Sequence, residues 1–208
     1  LLTKVVEKNS DFFIETYREY AINNIDEIEL KNIIFGFIIS HTEQFNGLFS
    51  TSFNFNIDNF IKEIKVNLIR KLRRMKELEI QRNKLPNKDI LDNIETALKS
   101  AFYMHFRHIY NNVNKYKLND AFKSAIFIFI RNFAYSGMFR YNSKGEFNVP
   151  YGGIAYNRKN FQKKIDYLKT KELKTLLDKT IIENLDFEVF FNSWIQVANA
   201  TFCSFVNT

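Results

Sequence analysis

Between Asn59 and about Arg82 the apolar residues Phe60, Ile61, Ile64, Leu68, Leu72, Met75 and Leu78 recur at steps of three and four. That spacing stacks them on one face of a helix about six turns long, and no strand can use it. The rest of the chain allows the same geometry almost everywhere. Only two prolines, Pro86 and Pro150, and six glycines occur in 208 residues, so few positions force a helix to stop.

Further helices are read over 11–25, where Phe12, Phe13, Ile14, Tyr17 and Tyr20 share a face, and over 27–40, started by Asn24 or Asp26. Residues 41–58, rich in Phe, Asn, Ser and Thr, are expected to form an ordered connection. After a break at Pro86–Asp89 a long helix runs to about Tyr110. A second break at 111–119 precedes a helix over 120–134, which is apolar nearly all round and is therefore expected at the centre of the core. Residues 135–157 hold four of the six glycines and one of the two prolines, the chemistry of loops and hairpins. Helical character resumes over 158–168 and 171–178, and 180–185 is the best strand candidate in the second half. The expected fold is mainly α with a small β-hairpin element.

Several classes of function drop out early. Cys203 is the only cysteine, which excludes an internal disulfide framework and a zinc site built on several thiolates. With no histidine beside it in sequence, it is not read as a nucleophile. His105 and His108, three apart on one helix, could reach one metal ion, but no third ligand of matching spacing stands out, and no metal is assigned. The most apolar run, Ala125–Ile130, is far short of a membrane span. No closely spaced glycines form a phosphate-cradling loop. Leu1 stands where a gene product would carry its initiator Met, so the chain is read as a piece of a larger protein or as a trimmed form of one.

Thirty Lys and Arg against 23 Asp and Glu leave a net charge of +7, which favours a polyanionic partner. On the helix from Asn59, Lys62, Lys65, Arg70, Lys71, Arg73, Arg74 and Lys76 oppose the apolar face. They fit a solvated surface with Glu63, Glu77 and Glu79 as intrahelical partners, or a stripe facing phosphates through Arg70, Arg73 and Arg74.

The segment Tyr135-Ser-Gly-Met-Phe-Arg-Tyr-Asn-Ser-Lys-Gly-Glu-Phe-Asn-Val-Pro-Tyr-Gly-Gly153 is of another kind. Phe139, Tyr141, Phe147, Val149 and Tyr151 alternate on either side of Ser143-Lys144-Gly145, so a tight hairpin is its natural shape. Such a ribbon can enter a major groove, where an arginine bonds guanine O6 and N7 together and a neighbouring ring stacks on bases or wedges between them.

These nineteen residues resemble the target-recognition hairpin of Dam-type DNA adenine N6-methyltransferases. The flanking runs IETALKSAFYMHFRHIYNN, NRKNFQKKI and ENLDFEVFF resemble a subset of that family, so the likeness covers roughly 90–191. The resemblance implies the helical and target-recognition part of an α/β S-adenosylmethionine-dependent methyltransferase, with double-stranded DNA as partner. It divides the chain into a helical region (1–134), a DNA-recognition hairpin (135–157), a return to the methyltransferase core (158–191) and a tail of unassigned role (192–208).

By the same resemblance Tyr135 is the aromatic that pushes in beside the flipped adenine, and Arg140 reads guanine. Met138 and Pro150 face neighbouring bases, Lys144 and Asn148 touch phosphate, and Asn142 lies within the hairpin. Ser136 stands where family members often carry Asn. Asp186 and Phe187 match residues beside the adenine of S-adenosylmethionine.

The Phe-x-Gly-x-Gly cofactor loop and the Asp-Pro-Pro-Tyr motif of such enzymes are absent from these 208 residues, so no catalytic residue is assigned and methyl transfer by this chain alone is not expected. The reading is sequence-specific DNA binding within a site-specific adenine methyltransferase of a restriction–modification system, in bacterial cytoplasm. The alternatives are an inactive relative complemented by a second chain, or a helical protein–protein interaction module.

Overall fold

The computed structural model describes residues 2–22, 25–48, 57–81 and 84–195. It divides into two units, Leu1–Lys159 and Asn160–Thr208. The first holds α1 (Leu2–Lys8), α2 (Ser10–Ile22), α3 (Glu27–Ser40), α4 (Thr42–Asn46), α5 (Ile57–Gln81), α6 (Asn87–Asn111) and α7 (Asp120–Phe133).

Local chemistry places the ends of these helices. The Asp26 carboxylate accepts from Glu29 N at 2.8 Å and starts α3. Pro86 precedes α6, where its missing N–H and fixed φ cost nothing. Asn119 accepts from Phe122 N at 2.8 Å and starts α7. The connection expected over 41–58 contains α4, whose Phe45 is fully buried. Asn24 and residues 49–56 lie outside the described residues.

Helix α5 buries Phe60, Ile64, Leu68, Leu72 and Met75, the stripe its periodicity announced. It packs along α6, the spine of the unit. The N-terminal half of α6 (Ile90, Ile94, Ala97, Leu98, Ala101) shares a core with α1, α2, α3 and α5. Its C-terminal half (Tyr103, Phe106, Ile109) shares a second core with α7 and the ribbon residues Phe147, Val149 and Tyr151. Where α5 ends, the Glu79 carboxylate collects bonds from Tyr17 Oη, Arg18 Nη1 at 2.9 Å and Leu85 N at 3.1 Å. Burial, with Glu79 beside it, pushes the Tyr17 phenol well above its ordinary range.

Two expectations need correction. Helix α7 is not central: only Ile126 and Ile130 are buried along it, while Phe127, Ile128 and Phe129 are half-buried. It packs chiefly against α6 and the start of the ribbon, which cover one side. Residues 180–185 form no strand, because a strand exists only when a neighbour pairs with it and none of the described residues does.

In the second unit, α8 (Gln162–Leu168) and α9 (Lys171–Asp178) are followed by a helix over 187–195. Residues 196–208, which hold most of the unassigned tail and Cys203, lie outside the described residues. No helix among the described residues is long and apolar enough to cross a membrane.

Candidate nucleic-acid interface

The segment from Ala134 to Tyr151 doubles back on itself, yet no strand forms among the described residues. It is closed by two isolated antiparallel bridges, Ala134 with Tyr151 and Tyr141 with Phe147. The outgoing limb therefore carries three more residues between the bridges than the returning limb. A one-step ladder cannot absorb them, and they match in number the 3₁₀ turn Tyr135–Gly137. The expected hairpin is thus a bulged ribbon, since continuous strands would need equal limbs.

The bulge brings out the side chains of interest. Tyr135 is 52% exposed while its N–H still bonds Pro150 O at 2.9 Å. Ser136 holds φ +51, a left-handed conformation that suits Asn or Gly better than Ser. Arg131, at the end of α7, steadies the turn by donating to Gly137 O at 3.0 Å and lying 4.9 Å from the Phe139 ring. At the tip, Asn142 Oδ1 accepts from Lys144 N at 3.0 Å and Glu146 N at 2.9 Å, and its amide donates to the Glu146 carboxylate at 2.8 Å. Asn142 is thereby engaged in making the turn, whereas Lys144 projects from it exposed. Gly145, at φ +75, closes the turn with Gly145 N on Asn142 O at 3.0 Å.

Alternation divides the returning limb. Phe147 and Val149 are fully buried and Tyr151 nearly so; Asn148 is half-buried and Pro150 exposed. Arg140 lies exposed across from Asn148. Its Nε donates to Asn148 Oδ1 at 2.8 Å, and Nη2 reaches Asn148 O at 3.4 Å. No carboxylate pairs with it among the described residues, so the guanidinium is aimed through a neutral amide and keeps its charge for another partner.

Helix α6 holds the ribbon from below, and here the sequence reading missed three residues. Asn111 accepts from Phe147 N at 2.9 Å and donates to Phe147 O at 3.0 Å. Tyr103 Oη and Arg107 Nη1 both donate to Val149 O, at 2.9 and 3.1 Å. Tyr103, Arg107 and Asn111 are four residues apart, and one such step rises about 6 Å. Two residues of extended chain advance about 6.6 Å, so alternate ribbon residues meet successive turns of the helix. The detectable signal was three polar groups at four-residue spacing on a largely buried face. Burial drives the Tyr103 phenol to about 12, so it stays protonated and donating at all ordinary pH.

A family model for D12 class N6 adenine-specific DNA methyltransferases matches residues 54–199, which takes in α5, α6, α7 and the whole ribbon. The chain belongs to that family. Among its relatives, the type II methyltransferase M.MjaIII of Methanocaldococcus jannaschii is 35% identical over 97 residues, covering 47% of this chain and 32% of the relative. The retron Ec67 DNA adenine methylase of Escherichia coli is 31% identical over 85 residues, 41% of this chain and 26% of the relative. The DNA adenine methylase of Escherichia coli K12 is 41% identical over 59 residues, 28% of this chain and 19% of the relative. The matches span a third or less of these relatives. No solved structure gives a significant match.

The remaining residues singled out from the sequence lie elsewhere. Arg73 pairs with Glu27 of α3 at 2.5 Å and Arg74 with Glu77 at 2.9 Å, while Arg70 donates to Asn67 Oδ1 at 2.6 Å. The intrahelical carboxylate partners expected for the stripe thus serve Arg74 alone of these three. In the second unit, Asp186 accepts from Glu188 N at 2.9 Å at the start of the 187–195 helix, and the Phe187 ring is 68% exposed. A capping carboxylate and a bare ring do not by themselves make the cradle an adenine requires, and no step is drawn through the cofactor. His105 is fully buried, and burial, with His108 nearby, lowers it to about 4. His108 Nε2 lies 3.1 Å from Tyr116 Oη. No group of three or more potential metal ligands occurs among the described residues.

Proposed function

We propose that this chain is the target-recognition part of a site-specific DNA adenine-N6 methyltransferase, of the kind found in restriction–modification systems, and that its bulged ribbon reads double-stranded DNA. The observation that carries the reading is Arg140, exposed, steered by Asn148 and without a carboxylate partner among the described residues, on a ribbon whose opposite side is locked to α6. Arg140 takes guanine O6 and N7; Tyr135, lifted by the bulge, enters beside the adenine that leaves the stack. Met138 and Pro150 cover neighbouring bases, and Lys144 and Asn148 approach phosphate. Ser136 and Asn142 shape the backbone around them, and Arg70, Arg73 and Arg74 add charge from α5. Methyl transfer and S-adenosylmethionine binding belong to a core holding the cofactor loop and the Asp-Pro-Pro-Tyr motif, supplied by further segments or a second chain. Asp186 and Phe187 are the residues proposed to meet the cofactor there. The setting is the cytoplasm of a bacterial cell.

Exposed apolar side chains in the second unit, among them Ile181, Ile182 and Phe187 at 67%, 77% and 68%, favour a protein surface as their partner, which fits the same reading. The test is binding to duplexes that differ at single base pairs. Arg140→Ala should cost about 1–3 kcal/mol at one guanine and leave other substitutions as costly as before. An equal loss on every sequence would make Arg140 a phosphate contact and defeat the proposal.

A further inference from the structure

Helices α5 and α6 and the exit of the ribbon enclose a groove of about 740 Å³. Its floor is built. Buried Asn67 donates to Glu63 O at 2.8 Å and to the Glu63 carboxylate at 3.1 Å, and its Oδ1 accepts from Arg70 at 2.6 Å and from Ser100 of α6 at 3.0 Å. Arg70, Lys71 and Arg74 line the α5 side, Arg107 the α6 side, and Pro150 one end.

The charges in this groove are not balanced. Arg74 has Glu77, but Arg70, Lys71 and Arg107 form no ion pair among the described residues. Among the described residues Arg70 and Arg107 donate to neutral oxygens, Asn67 Oδ1 and Val149 O, and the carboxylates of Glu63 and Glu146 act on Arg107 without bonding it. Lys71 is half-buried; burial and the charge of Arg70 both lower its affinity for its proton, a cost that an anion in the groove would relieve. Glu63, which accepts from Asn67 Nδ2 at 3.1 Å, and Glu77 bring fewer negative charges than Arg70, Lys71, Arg74 and Arg107 bring positive ones, so a net positive charge stands over this floor.

We infer that this groove is a second, sequence-independent DNA contact, holding backbone phosphates of the duplex that flanks the recognition site. The inference rests on the ribbon reading, because Pro150 belongs both to the proposed base-reading surface and to the groove wall. A duplex contacted at Pro150 thus has phosphates within reach of the groove. The run from Asn67 to Arg74 extends about 10 Å along α5, some three base-pair rises of one strand. Arg73, tied to Glu27, contributes least.

The experiment is fluorescence anisotropy of a labelled duplex with the full chain between 50 and 200 mM salt. Neutralising two phosphate contacts with Arg70→Gln/Lys71→Gln should flatten the slope of log K on log salt by about 1.8, so that about twelve-fold of the salt-induced loss disappears. The charge-keeping pair Arg70→Lys/Lys71→Arg should retain the wild-type slope, which separates charge from folding. Lys4→Gln/Lys8→Gln removes the same charge from two exposed positions of α1 and should leave the slope near wild type. A groove pair no flatter than this α1 pair overturns the inference, and the ribbon reading then stands or falls on the base preference of Arg140→Ala. A wild-type chain that binds no duplex overturns both.

Discussion

Asn111→Ala asks whether α6 sets the register of the ribbon. One side chain satisfies both the N–H and the C=O of Phe147, a residue with no exposed surface, at 2.9 and 3.0 Å. Removing the amide leaves two backbone groups unpaired at a cost of about 1–3 kcal/mol each when fully buried. Asn111 itself is half-exposed, so water reaches part of the gap, and the lower part of that range applies: about 2–3 kcal/mol in total. At about 2–4 °C per kcal/mol, the first unit should melt about 4–12 °C lower. The sharper assay is hydrogen exchange at the Phe147 amide, whose protection should fall about 30- to 150-fold while α5 amides stay protected. Asn111→Asp keeps an acceptor for Phe147 N but sets a carboxylate oxygen against Phe147 O, and at neutral pH should be at least as damaging as Ala. A Phe147 amide as protected in Asn111→Ala as in wild type would refute the reasoning, since the ribbon would then be held by packing and by the bonds of Tyr103 and Arg107 to Val149 O without this anchor.

The other expectations are independent of that anchor. Asn148→Ala should leave the melting temperature within a few degrees yet lower guanine preference severalfold by freeing Arg140 to sample other rotamers; Asn148→Asp should lower it further by pairing the guanidinium, and a uniform loss across sequences would leave Asn148 its phosphate contact but no part in aiming Arg140. His105 is protonated near pH 6.5 when unfolded but only near 4 when folded. Its contribution is therefore complete above about pH 6.5 and is lost on acidification down to about pH 4, by about 3 kcal/mol, after which it is level. His108, lowered by burial and by Lys115, acts in the same direction. Urea melts from pH 7.5 to 4.5 should show this slope, and His105→Gln should lessen it; an unchanged slope in the variant would assign the effect to other groups.

Much of the helical frame was legible because its signals are local. Side chains at three- and four-residue steps, an Asp or Asn at a helix start and a proline at a break act within one or two turns, and α2, α3, α5, α6 and α7 end within a few residues of where those signals stand. The turn at Asn142–Gly145 was equally local. The place of α7 was not, because an apolar composition says that a helix seeks cover without saying on how many sides its neighbours provide it.

The order of residue types alone was enough to relate this chain to adenine-specific DNA methyltransferases and to single out Tyr135 and Arg140 on a ribbon. The tertiary structure decided how that ribbon is presented. Phe147 and Val149 are held by helix residues 36 to 46 positions away, and the three extra residues of the outgoing limb are pushed outward as a bulge that carries Tyr135 with them. It also gathered Arg70, Lys71 and Arg107 around Asn67, although they come from helices whose facing sides no spacing rule pairs. Periodicity is a property of one segment; register and electrostatic balance belong to pairs of segments, and they exist only once the chain has brought those segments together.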